Sequence, residues 1–318
     1  MTDWRPTASR STLEQRASLL NHARAFFKGH GVLEVDTPLV VNAPVTDVHI
    51  HSARVHFSDD VPPYFLHTSP EYAMKRLLAA GSGDIFQICH VVRGLERGRQ
   101  HNAEFTLIEW YRIGFTLDRL MDEVDTLVRS LLGDVAFTMS SERVTYRDAF
   151  LNELQLDPLT ASMEQLATAA NAVGFNGSAD RDELLDLLMG SIVGPNLGRN
   201  ALTFVHDYPA SQAALARLNP ADPQTAMRFE LYCKGVELAN GFQELCSDAD
   251  QRARFERDNA ERRRLGLPLY AIDERLLAAL QSGLPDCSGV ALGFDRTLML
   301  AVAAHHIEEV MAFPTDRA

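Results

Sequence analysis

Arg93-Gly94-Leu95-Glu96-Arg97-Gly98-Arg99-Gln100-His101-Asn102-Ala103-Glu104 runs directly into Phe105-Thr106-Leu107-Ile108-Glu109-Trp110-Tyr111. An arginine-dense polar loop thus becomes an apolar, β-prone strand with a carboxylate in its middle. On an alternating strand Phe105, Leu107, Glu109 and Tyr111 share one face. A glutamate buried among aromatics costs several kcal/mol unless a cation meets it. The upstream arginines suit an anion equally well. The stretch therefore describes a ligand that is anionic at one end and cationic at the other.

Around it, residues 85–92 predict a strand leading into the loop, and Tyr64-Phe65-Leu66 a short strand entering a helix at Thr68. Residues 11–29 carry helical spacing and a Lys28-Gly29 stop. Residues 32–41 read as strand and extended chain. His49-Ile50-His51 and Arg54-Val55-His56-Phe57 suggest further strand, with the histidines on a solvated face rather than at a metal. Helices are expected at 116–132 and 250–265, and a helical insertion at about 157–198. A strand is expected at 203–205. Clustered strands with little strict βαβ alternation give an α+β fold, a largely antiparallel sheet with helices outside.

The chain has 318 residues, 46% hydrophobic and 23% charged, with a formal charge of −13. That size allows a real core, and the acidic balance speaks against broad nucleic-acid binding. Cys89, Cys233, Cys246 and Cys287 lack paired spacing, which fits reduced thiols. No leader is recognisable and no apolar run approaches ~20 residues, so a cytoplasmic protein without a membrane partner is expected.

Two further segments carry chemistry. In Phe229-Glu230-Leu231-Tyr232-Cys233-Lys234-Gly235-Val236-Glu237-Leu238, a two-residue turn at Lys234-Gly235 pairs Cys233 with Val236 and Tyr232 with Glu237. Glu230 and Glu237 then lie diagonally on one face, about 7–8 Å apart. They either share a hard cation on phosphate oxygens, or one of them merely faces solvent. Downstream, Asn240-Gly241 is the expected place for a bulge. In Ser288-Gly289-Val290-Ala291-Leu292-Gly293-Phe294-Asp295-Arg296, small residues at alternate positions leave room for a ligand above a strand. Arg296 in the first turn of the following helix makes sense if an anion binds there.

Together these segments resemble the signature motifs of class II aminoacyl-tRNA synthetases of the lysyl branch. Gly31-Val32-Leu33-Glu34-Val35-Asp36-Thr37-Pro38 resembles the dimer-forming first motif. Arg93 to Tyr111 resembles the second and Gly289 to Arg296 the third, while Glu237-x-x-Asn240-Gly241-Phe242-x-Glu244 is lysyl-like. About thirty residues precede the first motif, where lysyl enzymes carry an anticodon-binding domain. A single catalytic domain over residues 1–318 without that domain is expected, as in a shorter paralogous branch that joins (R)-β-lysine to a lysine of elongation factor P. Thr68-Ser69-Pro70-Glu71-Tyr72-Ala73-Met74-Lys75 and Ala291 are similar to that branch; lysyl synthetases tend to have alanine and glycine at Ser69 and Ala291.

The resemblance implies an AMP-forming ligase that uses ATP and Mg²⁺, works as a homodimer, and has a protein rather than tRNA as acceptor. A tRNA-charging enzyme and a noncatalytic regulatory paralogue are the competing readings. Arg93 is implied as the catalytic residue touching both carboxylate and α-phosphate. Glu96, His101, Asn102, Phe105, Glu237 and Arg296 are implied for ATP, and Glu230 and Glu237 for the metal. Ser69, Glu71, Glu109, Tyr111, Asn240, Glu244 and Ala291 are implied for the amino acid. Glu71 has a second reading, because Thr68-x-x-Glu71 with Pro70 is also a helix capping box. Leu95 stands where the synthetase pattern has a glutamate, which leaves Glu96 for the adenine contact. Ala103 replaces a common proline.

Overall fold

The strand carrying Glu109 lies inside the molecule and is buried on both faces. The computed structural model describes residues 4–58, 62–177 and 179–318. Its strands are β1 (Leu33–Glu34), β2 (Val40–Val41), β3 (Arg54–Val55), β4 (Tyr64–Leu66), β5 (Ile85–Val92), β6 (Glu104–Ile113) and β7 (Ser140–Thr145). They continue as β8 (Ala201–Pro209), β9 (Thr225–Cys233), β10 (Val236–Gln243) and β11 (Cys287–Gly293). The helices are α1 (Arg10–Gly29), α2 (Glu71–Ala79), α3 (Leu117–Leu132), α4 (Asp134–Phe137), α5 (Tyr146–Leu154) and α6 (Met163–Asn171). After these come α7 (Arg181–Leu188), α8 (Gly194–Asn196), α9 (Asp248–Arg264), α10 (Glu274–Gly283) and α11 (Phe294–Ala301).

Eight strands form one sheet in the order β1-β5-β6-β11-β10-β9-β8-β7. Only the outer pairs β1–β5 and β7–β8 are parallel, so the sheet is mostly antiparallel, as the clustering of strands implies. β2, β4 and β3 make a small second sheet. The even residues Ile108 and Trp110 of β6 join Phe27, Phe86, Val124, Val290 and Phe294 in an apolar layer with α1, α3 and α11. The opposite face is only partly roofed. At one end Tyr111, Ile85 and Cys287 pack with Met74 of α2, Phe255 of α9 and Leu277 of α10. At the other end Val205 and Tyr232 pack beneath α5, α6 and α7. The floor between those two groups of helices carries Glu109, Ala291, Asn240 and Glu230, singled out from the sequence.

Asp295 ties the two layers together. It accepts from Arg16 of α1 at 2.5 Å and from the Thr106 amide of β6 at 2.6 Å, while Arg16 also donates to the Thr106 hydroxyl at 2.7 Å.

Several boundaries differ from expectation. The helix after β4 starts at Glu71 rather than Thr68, because Pro70 takes the cap position. His49 and Ile50 lie in a turn, and His51 makes a single bridge to Gly94 instead of a strand. The helical layer begins at Tyr146, ahead of the expected 157. β7, α5 and α10 had no counterpart in the sequence reading. β7 is polar and exposed at the sheet edge, so it lacks the apolar alternation that marks a strand.

Candidate active site

One row of paired residues crosses the site face. It runs Gln87, Glu109, Ala291, Asn240, Glu230 and Val205, each opposite the next on the neighbouring strand. Glu109 and Glu230 are three strands apart, about 15 Å at the usual strand spacing.

At the cationic-ligand end, Glu109 accepts from the Ser69 hydroxyl at 2.8 Å and the Tyr111 hydroxyl at 2.7 Å. Ser69 also accepts from the Glu71 amide at 3.0 Å. Lys75, 1% exposed, places its ammonium 2.6 Å from Glu71 and 2.6 Å from Glu244. Hydroxyls, not a cation, therefore touch Glu109, while the buried ammonium serves its two neighbours. Burial, then the Glu71 carboxylate, pushes Glu109 up to about 7, with the two hydroxyls and Lys75 pulling it back. Burial pushes Glu244 up to about 8 against the pull of Lys75. Burial alone would lower the Lys75 pKa, but Glu244 and Glu71 hold it above its ordinary value. That last direction fits the two close contacts, so Lys75 is a fixed cation and the proton retained in this pocket belongs to Glu109 and Glu244.

Glu71 makes no capping box. The helix N-cap is Pro70 without a side-chain bond, and the Glu71 carboxylate turns to Lys75. Gly289 shows why this corner needs a glycine. A Cβ there would come within 2.5 Å of Glu244 Oε1 and closer still to the Tyr111 ring. The space above this strand is thus taken at Gly289 by protein side chains, whereas at Gly293 the nearest atom to an added Cβ is 3.6 Å away.

At the anionic-ligand end, Arg93 lies 5.1 Å from the centroid of the Phe105 ring, donates to the Thr68 carbonyl at 3.2 Å, and stands 3.7 Å from Glu96. Arg296 meets His101 at 2.6 Å and donates to the Gln100 carbonyl at 3.2 Å and the Glu237 carboxylate at 3.4 Å. Close packing, then the Arg296 guanidinium, lowers the His101 pKa, so a neutral ring faces Arg296. Asn102 uses its side chain within the fold, donating to the Glu104 carbonyl and accepting from the Thr315 amide. Leu95 sits at the loop tip with φ 70° and is 79% exposed.

The β9–β10 hairpin has the expected turn, with Lys234 at φ 51° and Gly235 at φ 73°, both left-handed as a primed two-residue turn requires. Tyr232 pairs with Glu237. The bulge falls between Glu237 and Ala239, not at Asn240-Gly241. Leu238 and Ala239 both enter the apolar layer. The extra residue puts Glu237 and Asn240, three apart, on one face with Glu230. Asn240, expected beside the ammonium, instead accepts from Arg228 at 3.2 Å. Arg228 also donates to Glu230 at 2.5 Å, and Tyr232 donates to the other Glu230 oxygen at 2.7 Å. Loss of surrounding water, then the Glu230 carboxylate, raises Glu237.

Among the described residues no group of three or more His, Cys, Asp or Glu side chains is placed to hold a metal. The two-carboxylate arrangement is of the kind that holds Mg²⁺ together with phosphate oxygens. Arg228 sits on Glu230 and Arg296 on Glu237, so a cation here would share the two carboxylates with these guanidiniums.

This geometry has close relatives. The family model for tRNA synthetases class II (D, K and N) matches residues 1–317. The chain belongs to the class II tRNA synthetase family. It is 51% identical to the elongation factor P–(R)-β-lysine ligase of Vibrio cholerae over 327 residues, covering 100% of this chain and 99% of the relative. The ligases of that name from Edwardsiella ictaluri and Pectobacterium atrosepticum are 49% and 48% identical, each covering 100% of this chain and 99% of the relative. The mostly antiparallel sheet with flanking helices fits that membership. Lys75, Arg228 and Gln87 escaped the sequence reading. The signal for Lys75 was its i+4 spacing from Glu71, which puts the two on one helix face. All four cysteines are free, and no helix among the described residues is long and apolar enough to cross a membrane.

Proposed function

We propose that this enzyme activates (R)-β-lysine with ATP and transfers it to a lysine side chain of elongation factor P. The observation that supports this most is the clustering of Glu71, Glu109 and Glu244 around Lys75, with Arg93 beside Phe105 on the neighbouring loop, in a chain half identical end to end to ligases of that name. A substrate with one carboxylate and two ammonium groups matches an arginine at one end and three carboxylates at the other.

In the first step a carboxylate oxygen of the amino acid bonds to the α-phosphorus and the bond to the bridging oxygen breaks, releasing pyrophosphate. Two anions must meet, so positioning and charge neutralisation supply most of the rate. Arg93 holds both anions, and Phe105 offers the adenine a flat face beside it. Glu96, paired with Arg93, takes the adenine contact that Leu95 lacks the atoms to make. Arg296 and the neutral His101 hold the outer phosphates, with Asn102 keeping their loop closed. Glu230 and Glu237 would hold Mg²⁺, which neutralises phosphate oxygens when bound.

Glu109, Tyr111 and Glu244 take the distal ammonium, and Glu71 the other. Ser69 bridges Glu109 and the Glu71 amide, and Ala291 lies between Glu109 and Asn240, so both residues set the width of the pocket. In the second step the neutral acceptor amine attacks the adenylate carbonyl carbon, AMP leaves and the amine loses a proton. The enzyme works as a homodimer through residues 31–38, where Leu33 is 55% exposed on the edge strand β1.

Pyrophosphate exchange dependent on (R)-β-lysine, followed by transfer of labelled β-lysine to elongation factor P, tests the proposal. Transfer to tRNA instead would overturn the acceptor, and absence of exchange would overturn the chemistry.

A further inference from the structure

Gln87 lies in the site yet has no role above. It is the ladder partner of Glu109, so both side chains leave the sheet on the same face. Ile85, two residues before it, packs with Tyr111, and the Cys89 thiol, two residues after it, stands beside its amide. Gln87 is 2% exposed; its Nε2 has only the weak sulfur acceptor of Cys89 beside it, and its Oε1 has no hydrogen-bond partner among the described residues. A buried amide oxygen without a donor is rare in folded proteins and calls for an explanation. Its neighbours along the strand on the same face, Ile85 and Cys89, would accept an apolar side chain.

We propose that Gln87 contacts the substrate, its amide oxygen accepting a hydrogen bond from the ammonium that Glu109 holds. This rests on the diamino-acid reading above. An ammonium carries three N–H donors. Glu109 has both oxygens engaged by Ser69 and Tyr111 and supplies charge with limited remaining acceptor capacity. A neutral acceptor directly opposite completes the set. A fourth carboxylate would not serve as well, because Glu109 is already pushed up by burial and by Glu71.

The test compares wild type with Gln87→Met and Gln87→Leu in pyrophosphate exchange with (R)-β-lysine, together with thermal unfolding. Loss of one hydrogen bond to a charged group raises KM for the diamino acid about tenfold, equivalent to about 1.4 kcal/mol. KM for ATP stays within twofold. Both variants melt at or above the wild-type temperature, because a buried amide with an unpaired oxygen has been replaced by an apolar group. Unchanged KM for the diamino acid in either folded variant overturns the inference. So does a fall in melting temperature with both KM values moving together, which is what a structural role gives. No exchange by the wild type would refute the substrate reading itself, and the inference would fall with it.

Discussion

Replacing Glu109 with glutamine removes a charge that the sheet holds at a cost. The Glu109 side chain is 2% exposed, and burial with the Glu71 carboxylate lifts it from 4.5 to about 7. A folded-state pKa raised in an acid means that the folded protein keeps a proton the unfolded chain gives up. The resulting penalty on stability is absent below pH 4.5, grows as pH rises to 7, and is constant above. At about 1.36 kcal/mol per unit it reaches about 3 kcal/mol. Glutamine has no proton to lose, so Glu109→Gln escapes the penalty. Its amide cannot accept from both Ser69 and Tyr111 as the carboxylate does, and this costs about 1 kcal/mol at every pH. The stability of the variant relative to wild type therefore rises by about 2.5 kcal/mol between pH 5 and pH 8. Urea unfolding of the two proteins across that range reads the difference. At the same time KM for the diamino acid increases by two orders of magnitude or more. Parallel stability–pH curves would refute the assignment of a displaced proton to this pocket, and an unchanged KM would refute its role with the ammonium.

Three further outcomes follow from the same geometry. Since Glu109 and Glu244 are lifted to about 7 and about 8 and bind ammonium only when ionised, diamino-acid binding at pH 7 expels about one proton and tightens as pH rises to 9; calorimetry in buffers of different ionisation heat measures this, and zero proton release contradicts it. Gly289→Ala drives a methyl to 2.5 Å from Glu244 Oε1, costs about 1–3 kcal/mol of stability, and raises KM for the diamino acid at least tenfold while KM for ATP stays within twofold; equal movement of both values would show that the damage is global. Arg93→Lys keeps the charge but loses the planar fork, and lowers kcat/KM in exchange about a hundredfold or more; a loss below tenfold would remove Arg93 from the reacting atoms.

Much of the fold was legible because its strands alternate or run apolar. Ile85–Val92 and the Lys234-Gly235 turn read directly from local chemistry. β7 did not, because a polar edge strand carries no hydrophobic period. The site was legible wherever a charge breaks an apolar run, as at Glu109 and Glu230. It was hidden where pairing between strands decides. The bulge at Leu238 sets which side chains accompany Glu237, and no residue type nearby announces it. The bond between Asn240 and Arg228 was hidden for that reason, since the two lie on different strands. Lys75 and Gln87 were hidden because an ammonium inside a helix and an amide inside a strand gain their meaning only from what faces them.

The strand β11 enters the sheet between β6 and β10, although it is the last of the eleven to be synthesised. Until residues 287–293 have left the ribosome, the nascent chain holds two half-sheets, each with an open inner edge. Such edges are templates for wrong pairing, and closure by a distant segment is slow. The Asp295 tie to Arg16 arrives at the same late moment, joining the first helix to the last. A product truncated before β11 therefore lacks the strand that joins the Glu109 half of the site to the Glu230 half. Proteolysis of ribosome-bound chains of increasing length would show resistance appearing only after residue 293 emerges.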